Sequence, residues 1–191
     1  MLILFSVKLK NQYKNEINSK YVSDVSTKIR WERTLHFVGS IRATSGLDIG
    51  DRTPLTKKLE AKFSCKFEST KGDLDEVVLK GKYQVITCFE VVEHLFNPLH
   101  LLLQCKNVLS EEGILYLSMP TYKPAFLWSH DHFHEMTEGS FSSLLERSGF
   151  EIKRKEVFRV HPWSFYFTGF RPLLRGLFDR RIICELRLRK G

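Results

Sequence analysis

"YQVITCFEVVEHLFNPLHLLLQCKNVLSEEGILYLSMP", residues 83–120, decides how the rest of the chain is read. Its opening, "KYQVITCFE" (82–90), is apolar almost throughout, as a strand buried on both faces is. Asn97-Pro98 then starts a helix, "NPLHLLLQCKNVLSEEG", predicted to close near Gly113. "GILYLSMP" (113–120) is a second buried strand, stopped by Pro120. Strand, helix and strand in that order predict one parallel crossover unit.

Upstream, "GLDIG" (46–50) reads as a strand that ends at a glycine. "TPLTKKLEAKF" follows as a helix, with Thr53 as N-cap and Pro54 at the first helical position, where its missing N–H costs nothing. "SCKFEST" (64–70) is a short strand, and "KIRWERTLHFVGSI" spaces Ile29, Leu35, Val38 and Ile41 as an amphipathic helix would. Downstream, "TEGSFSSLLERSGF" has a capping-box pattern at Thr137 and a helix end at Gly149. "FEIKRKEVFRV" and "RIICELRLR" are two late strands. The alternation predicts an α/β fold with a mainly parallel sheet wrapped by helices.

The 191 residues, 42% of them hydrophobic, suffice for one such domain with a real core. "MLILFSV" at the start is too short to span a bilayer and lacks the basic flank and cleavage site of a signal peptide; it is read as an extra strand or a docking segment. Cys65, Cys88, Cys105 and Cys184 show no CxxC spacing, which suits reduced core positions in a cytoplasmic protein. The net charge of +8 is concentrated in the tail: residues 151–191 carry eleven Lys/Arg against four Asp/Glu, the first 150 nineteen against eighteen. That surplus fits either a solvated basic face or an anionic partner.

Ligands of open α/β sheets sit at the carboxyl ends of the strands. Asp48 and Gly50 end the first core strand, and the next turn feeds a helix N-terminus whose free N–H groups favour an anion. Glu68 falls near the end of the following strand, where an acid accepts both hydroxyls of a ribose. In "GDLD" (72–75), Asp73 suits an adenine amino group and Leu74 an apolar wall for its ring.

The series "GLDIG", Glu68, "GDLD", residues 83–120 and "SFSSLLERSGFEI" resembles a class I S-adenosylmethionine-dependent methyltransferase over roughly residues 30 to 160. The resemblance implies a Rossmann-like three-layer sandwich with a mostly parallel seven-stranded sheet, its last strand antiparallel. It implies S-adenosylmethionine as cofactor, held at Asp48, Gly50, Asp51, Glu68, Asp73, Leu74, Phe89 and Glu90. The chain then divides into an N-terminal cap and helix (1–44), a cofactor-binding core (45–160) and an aromatic and basic insertion with the final strand (161–191). Two departures stand out. The family's first loop is D/E-x-G-x-G-x-G, whereas here it is Asp48-Ile-Gly50-Asp-Arg52-Thr-Pro54, with two glycines gone and an arginine whose charge suits the cofactor's carboxylate. Glu68 and Asp73 are also only five residues apart, with no room for the helix that normally separates them.

Two polar clusters follow the buried strands: Glu90, Glu93 and His94, which share a face if their turn is helical, and "SHDHFHE" (129–135). Three readings fit them. His134 or Glu93 acts as general base on the acceptor, with His94 beside them among the expected catalytic residues; Glu90, Glu93, His94 and a loop histidine hold a divalent metal; or the groups cap helices and pair with one another. The second resembles metal-dependent methyltransferases of RNA 3′-terminal ribose; the expectation is a site without metal. In the tail, "HPWSFYFTGFRPLLRGLFDRR" (161–181) mixes Trp163, Phe165, Tyr166, Phe167 and Phe170 with Arg171, Arg175, Arg180 and Arg181. It is either core and solvated face, or a lid whose arginine forks suit phosphate or carboxylate; the same mixture suits a membrane surface. No RNA-binding signature accompanies it, so a small acceptor, phosphorylated or sugar-linked, ranks ahead of nucleic acid. The expected activity is methyl transfer to O or N of such an acceptor, and the alternative is a methyltransferase-like protein that binds without catalysis.

Overall fold

The computed structural model describes residues 24–190, so the reading of "MLILFSV" lies outside the described residues. The elements, in order, are α1 (Val25–Phe37), β1 (Gly46–Asp48), α2 (Pro54–Phe63), β2 (Phe67–Ser69), β3 (Tyr83–Phe89), α3 (Pro98–Val108), β4 (Leu109–Pro120), α4 (Glu138–Ser148), β5 (Phe150–Arg159), α5 (Trp163–Tyr166), α6 (Phe170–Phe178) and β6 (Arg180–Leu188). Short 3₁₀ turns cover Val92–His94 and Ala125–Leu127.

The sheet runs β2-β1-β3-β4-β6-β5. β2, β1, β3 and β4 are parallel, and β6 is antiparallel to both β4 and β5. The antiparallel last strand matches the expectation. The strand count does not: six strands stand among the described residues rather than seven. The thirteen residues between β2 and β3 form a loop instead of a helix and a further strand. Asp73 there accepts from the Asp75 N–H, Gly72 and Gly81 take positive φ, and Asp75 accepts the N–H groups of Phe96 and Asn97, tying the loop to the head of α3.

Two apolar layers flank the sheet. On one side Leu101, Leu102 and Cys105 of α3 and Phe141 and Leu145 of α4 meet Ile86, Leu115, Leu117 and Cys184. On the other, Trp31 and Phe37 of α1 and Leu55, Leu59 and Phe63 of α2 meet Val85, Ile114, Tyr116 and Ile183. The alternation of Ile114 and Tyr116 with Leu115 and Leu117 is the period of two of a strand covered on both faces.

Local signals set the helix starts. Thr53 caps α2 by accepting from the Leu55 N–H while Thr56 Oγ1 accepts from the Thr53 N–H. Asn97 and Thr137 cap α3 and α4 through the N–H groups of His100 and Ser140. Two expectations are corrected. α3 ends at Val108, not near Gly113, because Leu109 already pairs with Tyr83 and residues 110–113 bulge before the register resumes at Val85 and Ile114. The buried stripe of α1 is Thr27, Trp31, Thr34 and Phe37, while Ile29 and Leu35 are only half-buried and Ile41 lies beyond the helix, exposed. All four cysteines are free thiols, and three are buried.

Candidate cofactor cleft and its polar rim

The carboxyl ends of β1 and β3 lie side by side, since Asp48 is in register with Thr87. Asp48 is buried, with Oδ1 accepting from Thr87 Oγ1 and Oδ2 from Thr56 Oγ1, each at 2.6 Å. Burial pushes its carboxyl above the ordinary value, and the two hydroxyls act against that. Both oxygens are therefore committed to holding β1, β3 and α2 together. Gly50 follows at φ +108, a conformation that favours glycine, and a Cβ there would meet nothing within 4 Å. Its N–H donates to Thr70 Oγ1 at 2.7 Å. The turn thus offers open space over its backbone.

A hollow of about 180 Å³ opens there, with Asp48, Gly50, Asp51, Phe89 and Glu90 in its wall. The other side of the wall comes from α1, through Arg30, Trp31 and Thr34. Sequence reasoning missed these three, because no loop motif marks them and Arg30 meets its partner sixty residues away. Glu68, Asp73 and Leu74 do not line this hollow. Glu68 accepts from Tyr83 Oη at 2.8 Å on the exposed edge strand, and Leu74 packs against the α3 side of the core. Arg52 is also turned away. It donates to Glu60 Oε2 at 2.5 Å and to the Phe67 carbonyl at 3.2 Å, so it neither fills the hollow nor reaches into it. The volume is below the ~300–1,000 Å³ of complete ligand clefts; it accommodates the part of a ligand that lies against β1 and β3.

Glu90 forms the floor. It is a non-glycine residue at φ +56, the sort of backbone strain that surrounding contacts must hold in place. The contacts are ionic: Oε2 accepts from Arg30 Nη1 at 2.9 Å and Arg181 Nε at 2.6 Å, and Oε1 from Ser118 Oγ at 2.9 Å. Burial alone would raise its pKa, but Arg181 and Arg30 overcome that and hold it down at about 2. One carboxylate therefore joins α1, β3, β4 and β6. Arg181 continues the network to Asp179 at 2.7 Å, and Asp179 meets His161 at 3.6 Å.

The expected common face of Glu90, Glu93 and His94 does not form, because the helical turn begins only at Val92. Glu93 points into the interior, 1% exposed, with Oε2 lacking a hydrogen-bond partner. Burial, and next the charge of Glu90, push its carboxyl well above the ordinary value. His94 is exposed at the rim, and its Nδ1 lies 2.7 Å from the Asp131 carbonyl oxygen. That contact fixes Nδ1 as the donor and leaves the Nε2 lone pair open. His132 stands edge-on to His94 with ring centres 4.8 Å apart, and its Nδ1 meets Glu135, which also pairs with the buried Lys123. Donor atoms of Glu93, His94 and His132 lie within 4.8 Å of one another, close enough to hold a metal ion. His134 sits behind this group: its N–H donates to the Glu93 carbonyl, and its Nε2 is buried without a partner.

Beyond the tip of β4 lies a second hollow of about 430 Å³, lined by Met119, Tyr122, Met136, Phe141, Arg180 and Ile182. It is mainly apolar, with one basic group, Arg180, and one acidic group, Glu138, in its wall. His94 follows β3, His132 and this hollow follow β4, and the first hollow sits over β1 and β3. The arrangement gives one pocket on each side of the β3–β4 tips.

Comparison with known proteins bears on the family and the fold. The methyltransferase-domain family matches residues 30–155. A ubiquinone biosynthesis O-methyltransferase of Glaesserella parasuis serovar 5 is 49% identical over 37 residues, 19% of this chain and 16% of that protein. A probable S-adenosylmethionine-dependent methyltransferase of Mycolicibacterium smegmatis is 28% identical over 118 residues, 59% of this chain and 45% of that protein. The matched part thus spans less than half the length of these curated relatives. Among solved structures, the N-methyltransferase NodS from Bradyrhizobium japonicum WM9, in complex with S-adenosyl-L-homocysteine, superposes with a TM-score of 0.62 at 13% identity, covering 88% of this chain and 90% of that one. A likeness at that identity is one of fold. No helix among the described residues is long and apolar enough to cross a membrane.

Proposed function

The chain belongs to the methyltransferase-domain family, and from that premise we propose that it transfers the methyl group of S-adenosylmethionine to an O or N atom of a small anionic acceptor. The observation that carries the reading is the hollow at the ends of β1 and β3, with Gly50 open above it. When bound, S-adenosylmethionine supplies an electrophilic methyl group on a sulfonium centre.

Each residue has a task in this account. Gly50 lets the cofactor approach the backbone, and Thr70 fixes the orientation of its N–H. Asp48 holds the turn through Thr56 and Thr87 rather than contacting the ligand. Asp51, Phe89 and Glu90 wall the cofactor, with Trp31 opposite. Glu68, Asp73 and Leu74 contribute only on the open side, where the loop between β2 and β3 packs over a ligand that extends out of the hollow. His94 serves as general base through Nε2, held in the right tautomer by Asp131. Glu93 and His134 position it: Glu93 lies beneath it, 4.0 Å from its Nε2, and His134 fastens the histidine loop to the Glu93 backbone. The hollow beyond β4 takes the acceptor, and Arg180 supports a phosphorylated or sugar-acid group there. Catalysis is then chiefly alignment of two bound partners.

A second reading rests on the three clustered donors. A divalent ion on Glu93, His94 and His132 would make this a metal-dependent enzyme, as in methyl transfer to an RNA 3′-terminal ribose. Glu90 is not in that ligand set, because Arg30, Arg181 and Ser118 occupy it. Metal analysis of purified protein separates the two: a stoichiometric divalent metal lost in His132→Ala supports the second, and its absence supports the base. The first reading is tested by His94→Asn, which should abolish turnover while leaving S-adenosylhomocysteine affinity within about threefold. Full activity in that variant would remove His94 from the mechanism.

A further inference from the structure

The helix α6 is amphipathic in the inverted sense. Phe170, Leu173, Leu174, Leu177 and Phe178 recur at the spacing of a single stripe, yet the helix contains no buried residue. Its inward contact is made instead by Gly176, where a Cβ would come 2.9 Å from the Tyr166 ring. The helix therefore lies on the body through Gly176 and the half-buried Pro172, Leu174 and Arg175, and turns Phe170, Leu173 and Leu177 to the outside. Phe170 is 76% exposed and Leu177 60%, and the neighbouring α5 segment adds Trp163 at 70% and Phe167 at 80%. Scattered apolar residues are ordinary on a surface, but a continuous stripe of this kind is not.

The charges around it are mainly positive, and the two nearby acids, Glu156 and Glu138, are paired with Arg33 and Lys155. Arg159, Arg171, Arg175 and Arg180 surround the stripe, and among the described residues none of them meets a carboxylate in a salt bridge. Asp179, the one acid in the segment from Arg159 to Arg181, is taken by Arg181 and His161. Arg159 lies over the Trp163 ring at 5.1 Å and donates to the Gly176 carbonyl, which braces the segment. An apolar face bordered by unpaired arginines matches a surface with an anionic outer layer and an apolar interior.

We propose that α5 and α6 form a docking surface for an anionic lipid bilayer, with Trp163, Phe167, Phe170, Leu173 and Leu177 entering the interface and the arginines meeting lipid phosphates. The segment leaves the sheet between Arg159 and Arg180, level with Pro120, at the carboxyl edge where both hollows open. A docked chain thus presents its cleft to the lipid. That last step, which makes the acceptor an amphiphile with a charged or glycosyl headgroup, rests on the methyl-transfer reading; the docking does not.

The test is co-sedimentation of the full chain with phosphatidylcholine vesicles, with and without phosphatidylglycerol, together with tryptophan emission. The expected result is binding that needs phosphatidylglycerol, weakens as salt rises, and shifts the emission to the blue. Trp163→Phe should remove more of that shift than Trp128→Phe, since Trp31 is buried and Trp128, exposed as well, lies outside the docking segment. Leu173→Glu/Leu177→Glu and Arg171→Glu/Arg175→Glu should each lower vesicle affinity at least tenfold. Both positions are off the core, so circular dichroism and S-adenosylhomocysteine titration of the variants should match the parent. No binding to anionic vesicles, or binding unaffected by both double variants, overturns the proposal. So does self-association abolished by Leu173→Glu/Leu177→Glu without vesicle binding, which gives the face to a second copy, or binding of short RNA through Arg171 and Arg175 in place of vesicles. Cofactor titration is carried out without vesicles and co-sedimentation without cofactor, so a failure of docking and a failure of methyl transfer are told apart.

Discussion

Glu90 is the residue on which most of the site's geometry converges. Its carboxylate sits in the interior with two guanidiniums, an arrangement in which losing one partner leaves the others buried and uncompensated. Glu90→Gln should therefore lower stability by about 3–5 kcal/mol at neutral pH, read from urea unfolding. The pH dependence follows from the direction of its shift. In the unfolded chain the carboxyl titrates near its ordinary value of about 4.3, and in the folded chain it is held at about 2. Its stabilisation is complete above about pH 4.3 and is lost as pH falls toward 2. The parent should lose stability across that window more steeply than Glu90→Gln; parallel curves would show that Glu90 carries no such linkage. Arg52 gives the contrasting case. Held by Glu60 and the Phe67 carbonyl, it is outside the hollow, so Arg52→Ala should leave S-adenosylhomocysteine affinity within about twofold. A tenfold loss would mean that the arginine swings in to hold the ligand's carboxylate.

At the scale of elements, the chain's own signals account for where helices begin and much less well for where they end or which face they bury. Thr53-Pro54, Asn97-Pro98 and Thr137 are local devices: a side chain accepts an N–H two or three residues on, and sequence spacing is enough to find it. Thr53→Ala should accordingly cost about 1 kcal/mol in thermal or urea unfolding without altering the sheet. The end of α3 was not legible, because it is set by Leu109 pairing with Tyr83, a contact across twenty-six residues of chain. The face of α1 was not legible either. Two of its four buried positions are Thr27 and Thr34, which a reading of apolar periodicity passes over, and Trp31 packs against the α2 side of the core. The absence of a seventh strand among the described residues has the same origin. Residues 70–82 carry Gly72, Asp73 and Gly81 in turn conformations, and Asp75 fastens them to α3 instead of to a sheet edge.

For the molecule as a whole, the alternation of strands and helices predicted the parallel half, β2-β1-β3-β4, between helical layers, while the antiparallel last strand, β6, was implied only by the family resemblance. That order places Asp48, Gly50, Asp51, Phe89 and Glu90 around one hollow, while Glu68, Asp73 and Leu74 fall outside it and Arg30, Trp31 and Thr34 enter from a helix with no motif of its own. The loss of two loop glycines is met by a folding solution, in which Pro54 starts α2 and Glu60 draws Arg52 aside. The hollow is thus read as a cofactor site and not a packing defect. The most direct measurement is isothermal titration of the full chain with S-adenosylhomocysteine, alongside Gly50→Val, whose side chain would stand in the open space above the turn. One site per chain at roughly micromolar affinity, weakened at least tenfold in the variant while its fold is retained, is the predicted result. No detectable heat and no thermal stabilisation at millimolar ligand, or equal binding by Gly50→Val, would contradict it.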